Sequence, residues 1–164
     1  MKDIKKYIEY IESDVSNPNK GLPNDLFYFI GRMTPYINVD LLIKCPERGL
    51  LLTWRDDDYA GKGWHIPGGI IRFRENIKDR ILKVGLEELN ISIKNFTGPI
   101  STNEIIIGGQ TERSHFISLL YECIICDDQL DKLVDAFNKN KKIAFFKKKP
   151  DNLLRLHEIY SNYF

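Results

Sequence analysis

Ile4, Tyr7, Ile8 and Ile11 stand three and four residues apart with charges between them. This spacing predicts a surface helix over residues 2 to 13 with one buried stripe. The run SNPNKGLPND breaks the chain, Pro23 suits the first turn of a second helix reaching about Met33, and Pro35 ends it. Residues 36–44 are mostly β-branched or aliphatic, 45–49 supply turn chemistry, and 50–54 are apolar again, which predicts a hairpin. A polar loop is expected from Arg55 to Lys62, followed by a tight loop, Gly63-Trp64-His65-Ile66-Pro67-Gly68-Gly69, of the kind that approaches a ligand closely. Over 76–89 a helix is expected with Ile77, Ile81, Leu82, Gly85, Leu86 and Leu89 on its buried face. Strands at 91–107 and 114–125, a helix at 128–138, a strand at 143–146 and a last helix from about Asp151 complete a mixed α and β order.

At 164 residues, with 43% hydrophobic and 29% charged, the chain reads as one globular domain over 1–164, with a helical extension at about 1–34. No apolar run approaches the ~20 residues of a membrane span, and the N-terminal stretch lacks the apolar core of a signal peptide, so a cytoplasmic protein without a membrane partner is expected. A formal charge of +1 argues against nucleic acid as a partner, because neutralising phosphates needs a clear cationic surplus. Cys45, Cys123 and Cys126 are an odd count with one C-x-x-C, too few for a structural zinc site; all three read as core side chains, the last two within a strand. The lysine-rich stretch from Lys139 to Lys149 reads as a solvated rim.

The candidate chemistry lies in Gly69, Glu75, Glu87 and Glu88, where a glycine-rich loop opens into a helix bearing adjacent carboxylates. Magnesium prefers oxygen ligands and is commonly shared between one or two carboxylates and substrate phosphates. Positions 84, 87 and 88 form one helical patch, of which two are acidic. Gly69, Glu75, Glu87, Glu88 and Ile91 resemble the Nudix box, G-x5-E-x7-R-E-U-x-E-E-x-G-U with U aliphatic. They match five of its nine specified positions, with Lys83, Val84, Gly85 and Asn90 at the other four. Arg32-Met33-Thr34-Pro35, Val39-Asp40, Trp54-Arg55, Gly63 to Gly69 and Ser114-His115-Phe116 extend the likeness to the GDP-mannose mannosyl hydrolase branch, whose box is also degenerate.

The resemblance implies an α+β Nudix fold, a mixed β-sheet sandwiched between α-helices. It also implies a homodimer and hydrolysis of a nucleoside diphosphate sugar with Mg2+ or Mn2+. The metal ligands then fall on Gly68, by its backbone carbonyl, and Glu88, with Glu87 beside them. Nucleotide recognition falls on Asp40 and Arg55, and Arg72 is a substitute for the arginine that has become Ile70. Val84 stands where ordinary Nudix pyrophosphohydrolases place a metal-binding glutamate, which favours cleavage at the sugar carbon over attack on phosphorus. The branch's general base, a histidine before the late strand, has no counterpart among Lys139, Asn140 and Lys141.

Among the histidines, His115, beside Glu112 and Arg113, joins Arg55 and Glu88 as a candidate catalytic residue; His65 sits in the glycine loop, and His157 reads as structural. Glu104, Glu112 and Asp56 to Asp58 are alternative carboxylates for a pyrophosphohydrolase. Trp54, Tyr59, Trp64 and Phe73 cluster near the loop, where one could stack on a base or sugar. The reading is a nucleotide-sugar hydrolase acting at the anomeric carbon. Its rivals are a pyrophosphohydrolase and a binding module that does not turn its ligand over.

Overall fold

The computed structural model describes residues 3–58, 60–109, 112–140 and 142–164. Helix α1 spans Ile4–Asp14 and α2 spans Asn24–Gly31, joined by a 3-10 turn at Pro18–Lys20. Strands β1 (Tyr36–Cys45), β2 (Gly49–Asp57), β3 (Gly61–His65) and β4 (Gly68–Ile70) precede helix α3 (Ile77–Leu89). Then come β5 (Asn95–Ile106), β6 (His115–Ile124), helix α4 (Asp127–Asn140), β7 (Ile143–Phe146) and a 3-10 segment, Arg155–Tyr163.

The central strand changes partners along its length. β1 runs parallel to β6 from Tyr36 to Ile43, and β6 pairs antiparallel with β5. On its other edge β1 pairs with β2 through Lys44 and Cys45, and with β4 through Asn38, Val39 and Asp40. β2 carries on into pairing with β3 and β7. The two strands of the hairpin therefore part beyond their shared end, and the opening between them is where the site forms. A strand buried on both faces reads as a nearly continuous apolar run. Leu41 and Ile43 enter one core with Ile81, Val84 and Leu89 of α3, while Leu42 enters a second with Leu120, Leu153 and Tyr160. Helices thus cover one face of the sheet and the C-terminal segment covers the other.

Several expectations are corrected. The region 55–69 is largely strand rather than loop, because β2 continues to Asp57 and Thr53–Asp57 pairs with β3. The last helix is 3-10 and starts at Arg155. Leu86 and Ile77 of α3 are exposed, whereas Val84 is buried. Cys126 lies beyond the end of β6 and is exposed, unlike Cys45 and Cys123. Most consequentially, the apolar stripe of α1 is not buried: Ile4, Tyr7, Ile8 and Ile11 are all exposed.

Candidate functional site

The opening between β1 and β2 is a cavity of about 640 Å³, lined by Asp40, Arg55, Gly68, Gly69, Arg72, Glu87 and Glu88 from the expected set. Trp54, His65 and His157 also line it, as do Phe27, Asn38, Thr53, Arg113, Phe116 and Lys142. The glycine turn and the acidic face of α3 meet there. The Gly68 amide donates to the Glu88 carboxylate, whose Oε2 also accepts from Thr53 Oγ1 at 3.4 Å. Thr53 Oγ1 lies 3.2 Å from His65 Nε2. A hydroxyl has one proton, so Thr53 donates to Glu88 and accepts from the His65 ring.

Burial raises the Glu88 carboxyl to about 7, against the Gly68 hydrogen bond, the Arg55 charge and the Thr53 hydrogen bond, which lower it. Burial also pushes His65 and His157 down to about 3, with the Arg55 charge acting in the same sense. His157 Nδ1 accepts from the Ile66 amide at 3.3 Å, so the neutral ring carries its proton on Nε2. Arg113 is lowered by burial and then by Arg55, which sets two guanidinium charges in one cavity. Such a wall attracts phosphate oxygens, to which arginine gives paired hydrogen bonds. Arg55 Nε is itself paired with Asp57 Oδ2.

The departures from the box have physical counterparts. Lys83 Nζ lies 2.7 Å from Glu75 Oε1, while Arg80 Nη2 and Nε lie 2.7 and 2.8 Å from Glu75 Oε2. Burial alone would raise the Glu75 carboxyl, but the hydrogen bonds from Lys83, the Arg72 amide and Arg80 outweigh it and hold it low. Glu75 is therefore an internal anchor of α3, 1% exposed, and leaves the candidate cation-binding set. Asn90 caps α3 at φ 54° with its amide bonded to Gly85 and Leu86 carbonyls, a left-handed position where asparagine substitutes for glycine. Val84 is packed in the core beside Gly69, where an added Cβ would stand 2.8 Å from Val84 Cγ2, so the third position of the patch holds a methyl group instead of an oxygen.

Asp40 is deeply buried. It accepts from Asn38 Nδ2 at 2.8 Å, from Ser118 Oγ at 2.5 Å and from the Tyr160 hydroxyl. Burial raises its carboxyl despite these bonds. A Cβ on Gly68 would collide with Asp40 Oδ1, so the nucleotide-recognition candidate also forms the floor under the glycine turn.

His115 is not brought to this cavity. Phe116 faces it, neighbouring strand residues point to opposite faces, and His115 Nε2 lies 3.1 Å from Glu104 Oε1. Of the alternative carboxylates, Glu112 pairs with Arg32 at 2.8 Å and Asp56 with Lys62 at 3.2 Å, whereas Asp57 pairs with Arg55 of the cavity wall. Trp54 lines the cavity and packs edge-on against Trp64, Phe73 is exposed, and Tyr59 and Lys141 lie outside the described residues. Thr53, Arg113, Ser118 and Tyr160 carried no local signal, since they reach the site only through strand register and the return of the C-terminal segment.

Among the described residues, no three His, Cys, Asp or Glu side chains are arranged to hold a metal ion. The hard oxygens that line the cavity beside the glycine turn belong to Glu88 and Glu87, the latter exposed and 3.9 Å from Arg80 Nη1. Among the described residues, the one ionisable nitrogen within 4 Å of Glu88 is His65 Nε2, at 3.9 Å. That set fits a magnesium-like cation completed by water and substrate phosphates, and does not fit a closed protein cage. No described helix is long and apolar enough to cross a membrane.

The chain has the fold of the Nudix hydrolases. A MutT Nudix hydrolase from Burkholderia pseudomallei superposes with a TM-score of 0.60 over 79% of this chain and 98% of that one, at 17% identity. NrtR of Shewanella oneidensis, solved in complex with a 27mer DNA, superposes with a TM-score of 0.59 over 77% of this chain and 59% of that one, at 14% identity. In sequence, the chain is 26% identical over 125 residues to the low-salt glycan biosynthesis protein Agl8 of Haloferax volcanii, covering 73% of this chain and 78% of that protein. No family model matches it.

Proposed function

We propose that this protein is a divalent-metal-dependent hydrolase of a nucleoside diphosphate sugar, GDP-mannose or a relative, cleaving at the anomeric carbon of the sugar. One observation carries the reading: the Gly68 amide and the Glu88 carboxylate meet in a cavity that also holds Arg55 and Arg113. Glu88, Glu87 and the Gly68 carbonyl would hold Mg2+ or Mn2+, which supplies charge neutralisation of the diphosphate when bound. Arg55 and Arg72 bind phosphate oxygens and stabilise charge growing on the leaving diphosphate, while Asp40 supports the glycine turn and the nucleotide side of the cavity. The name of the Haloferax relative places that protein in glycan biosynthesis, which supports a sugar-bearing substrate. Val84 supports attack at carbon, because the helix face that would carry a further metal ligand is apolar and buried.

A panel of nucleotide sugars with Mg2+ and Mn2+, run in 18O-labelled water, tests the reading. Label in the sugar hydroxyl is expected; label in a phosphate assigns a pyrophosphohydrolase instead. A second reading, a module that binds the nucleotide sugar without turnover, is favoured by the two histidines of the cavity. An imidazole driven down to about 3 is a weak base toward water. Metal-dependent binding with no product after prolonged incubation establishes that second reading.

A further inference from the structure

Thr53 puts a buried hydroxyl at the end of an apolar run. It follows Leu50, Leu51 and Leu52 on β2, all buried, and lies between Ile143 of β7 and His65 of β3 in the sheet. Valine would fill the same place with no hydroxyl to satisfy, and a buried hydroxyl costs free energy unless it is hydrogen-bonded. Among the described residues the Thr53 hydroxyl meets the His65 ring and Glu88 Oε2.

The fold brings these groups together by register. Thr53 and His65 stand directly opposite in the β2–β3 ladder, so their side chains share one face of the sheet. Leu51, two residues before Thr53 and therefore on that face, packs in one core with Ile81 and Val84 of α3. Glu88 follows Val84 by one helical turn, so the strand position beyond Leu51 meets the helix position beyond Val84. The Gly68 amide reaches the same carboxylate from the glycine turn. Two donors on separate elements thus restrain a side chain that otherwise loses rotamer freedom whenever it binds a ligand.

We propose that Thr53 is a positioning residue for the cation: its hydroxyl, donating to Glu88, holds that carboxylate in the orientation in which it meets Mg2+ or Mn2+ beside the Gly68 carbonyl. Groups that orient a metal ligand act through it and set metal affinity. The inference rests on Glu88 being a cation ligand under the proposed function.

Titration of the full chain with Mn2+, with free Mn2+ read by electron paramagnetic resonance, tests it. Thr53→Val and Thr53→Ala remove the hydroxyl in two ways and are each expected to weaken Mn2+ binding by about tenfold to a hundredfold, whereas Thr53→Ser, which keeps it, stays within about threefold of the wild type. A residue needed only for packing gives the opposite order, because Thr53→Val keeps the methyl group and Thr53→Ser loses it. Wild-type affinity in Thr53→Val or Thr53→Ala, or a Thr53→Ser variant as weak as Thr53→Val, overturns the inference. Glu88→Gln separates this failure from that of the proposed function. Lost Mn2+ binding in Glu88→Gln with wild-type affinity in Thr53→Val overturns the positioning role alone. Unchanged Mn2+ binding in Glu88→Gln, or none in the wild type, overturns the proposed metal site and this inference with it.

Discussion

The hydroxyl of Tyr160 donates to the carboxylate of Asp40, 120 residues earlier in the chain, and so ties the C-terminal 3-10 segment to the floor of the glycine turn. Ser118 joins the pair, its Oγ 2.6 Å from the Tyr160 oxygen, and the cluster is buried. Tyr160→Phe leaves Asp40 short of one buried donor and is expected to lower unfolding free energy by about 1–3 kcal/mol. Urea denaturation checks this. A change below a few tenths would show the hydroxyl to be dispensable.

Gly68 is the point where that floor meets the site. Gly68→Ala would push a methyl group into Asp40 Oδ1 and to 2.8 Å from the Val39 carbonyl. Metal-dependent activity or ligand binding is expected to fall about a hundredfold, because a small displacement at a positioned site is costly. Gly61→Ala is not the control to use, since φ there is +81° and the substitution is strained even in open space. Gly108→Ala, with open space around it, is.

Glu88→Gln removes the carboxylate charge while keeping its shape. Metal-dependent turnover is expected to drop about a hundredfold or more with circular dichroism unchanged. Arg55→Ala is expected to raise the substrate requirement more than it lowers the maximal rate, through lost phosphate contacts. Steady-state kinetics separate the two effects, and a wild-type profile for Glu88→Gln removes that residue from the site.

Glu75 and Arg80 form a buried ion pair, at 1% and 8% side-chain exposure. Glu75→Ala leaves the buried Arg80 guanidinium with the looser contact to exposed Glu87, at 3.9 Å, in place of its close pair, and a loss of about 3 kcal/mol is expected. Lys83→Ala should cost far less, because the ammonium is 43% exposed and screened by solvent. Equal losses in thermal or chemical unfolding would contradict this division.

His157 gives a pH signature. Burial holds its folded form at about 3, against about 6.5 in the unfolded chain. Between those values the unfolded chain binds more protons, so this residue's effect is to lower stability as pH falls below about 6.5, by up to about 1.4 kcal/mol per unit. Glu88 and Asp40, whose carboxyls burial raises, pull the other way, so the informative quantity is a difference. His157→Gln is expected to lose less stability than the wild type between pH 7 and pH 5 in urea titrations. Parallel losses would mean that His157 titrates normally.

Much of the fold was legible along the chain. Helical spacing placed α3 at 76–89, within one residue of Ile77–Leu89, and the short apolar run Ile143-Ala144-Phe145-Phe146 placed β7 at its observed bounds. The glycine turn and the Glu87-Glu88 pair were legible as a unit because their chemistry is carried by adjacent positions. The strand character of 55–65 was not, since glycines and charges there gain their ladder only from β2. The face of α3 was misjudged at Val84 and Leu86 because a helix's own period fixes a stripe but not the orientation in which a neighbouring strand receives it.

The amino-acid order by itself determined the succession of helices and strands, the apolar central strand and the acidic helix after a glycine turn, because each of these rests on contacts within a few residues. Tertiary structure decided what surrounds them. It parted β1 from β2, returned Tyr160 and His157 to the site, drew Thr53 and Arg113 into it, turned His115 away and left α1 bare. Those outcomes depend on strand register and on burial against distant segments, which no local periodicity encodes.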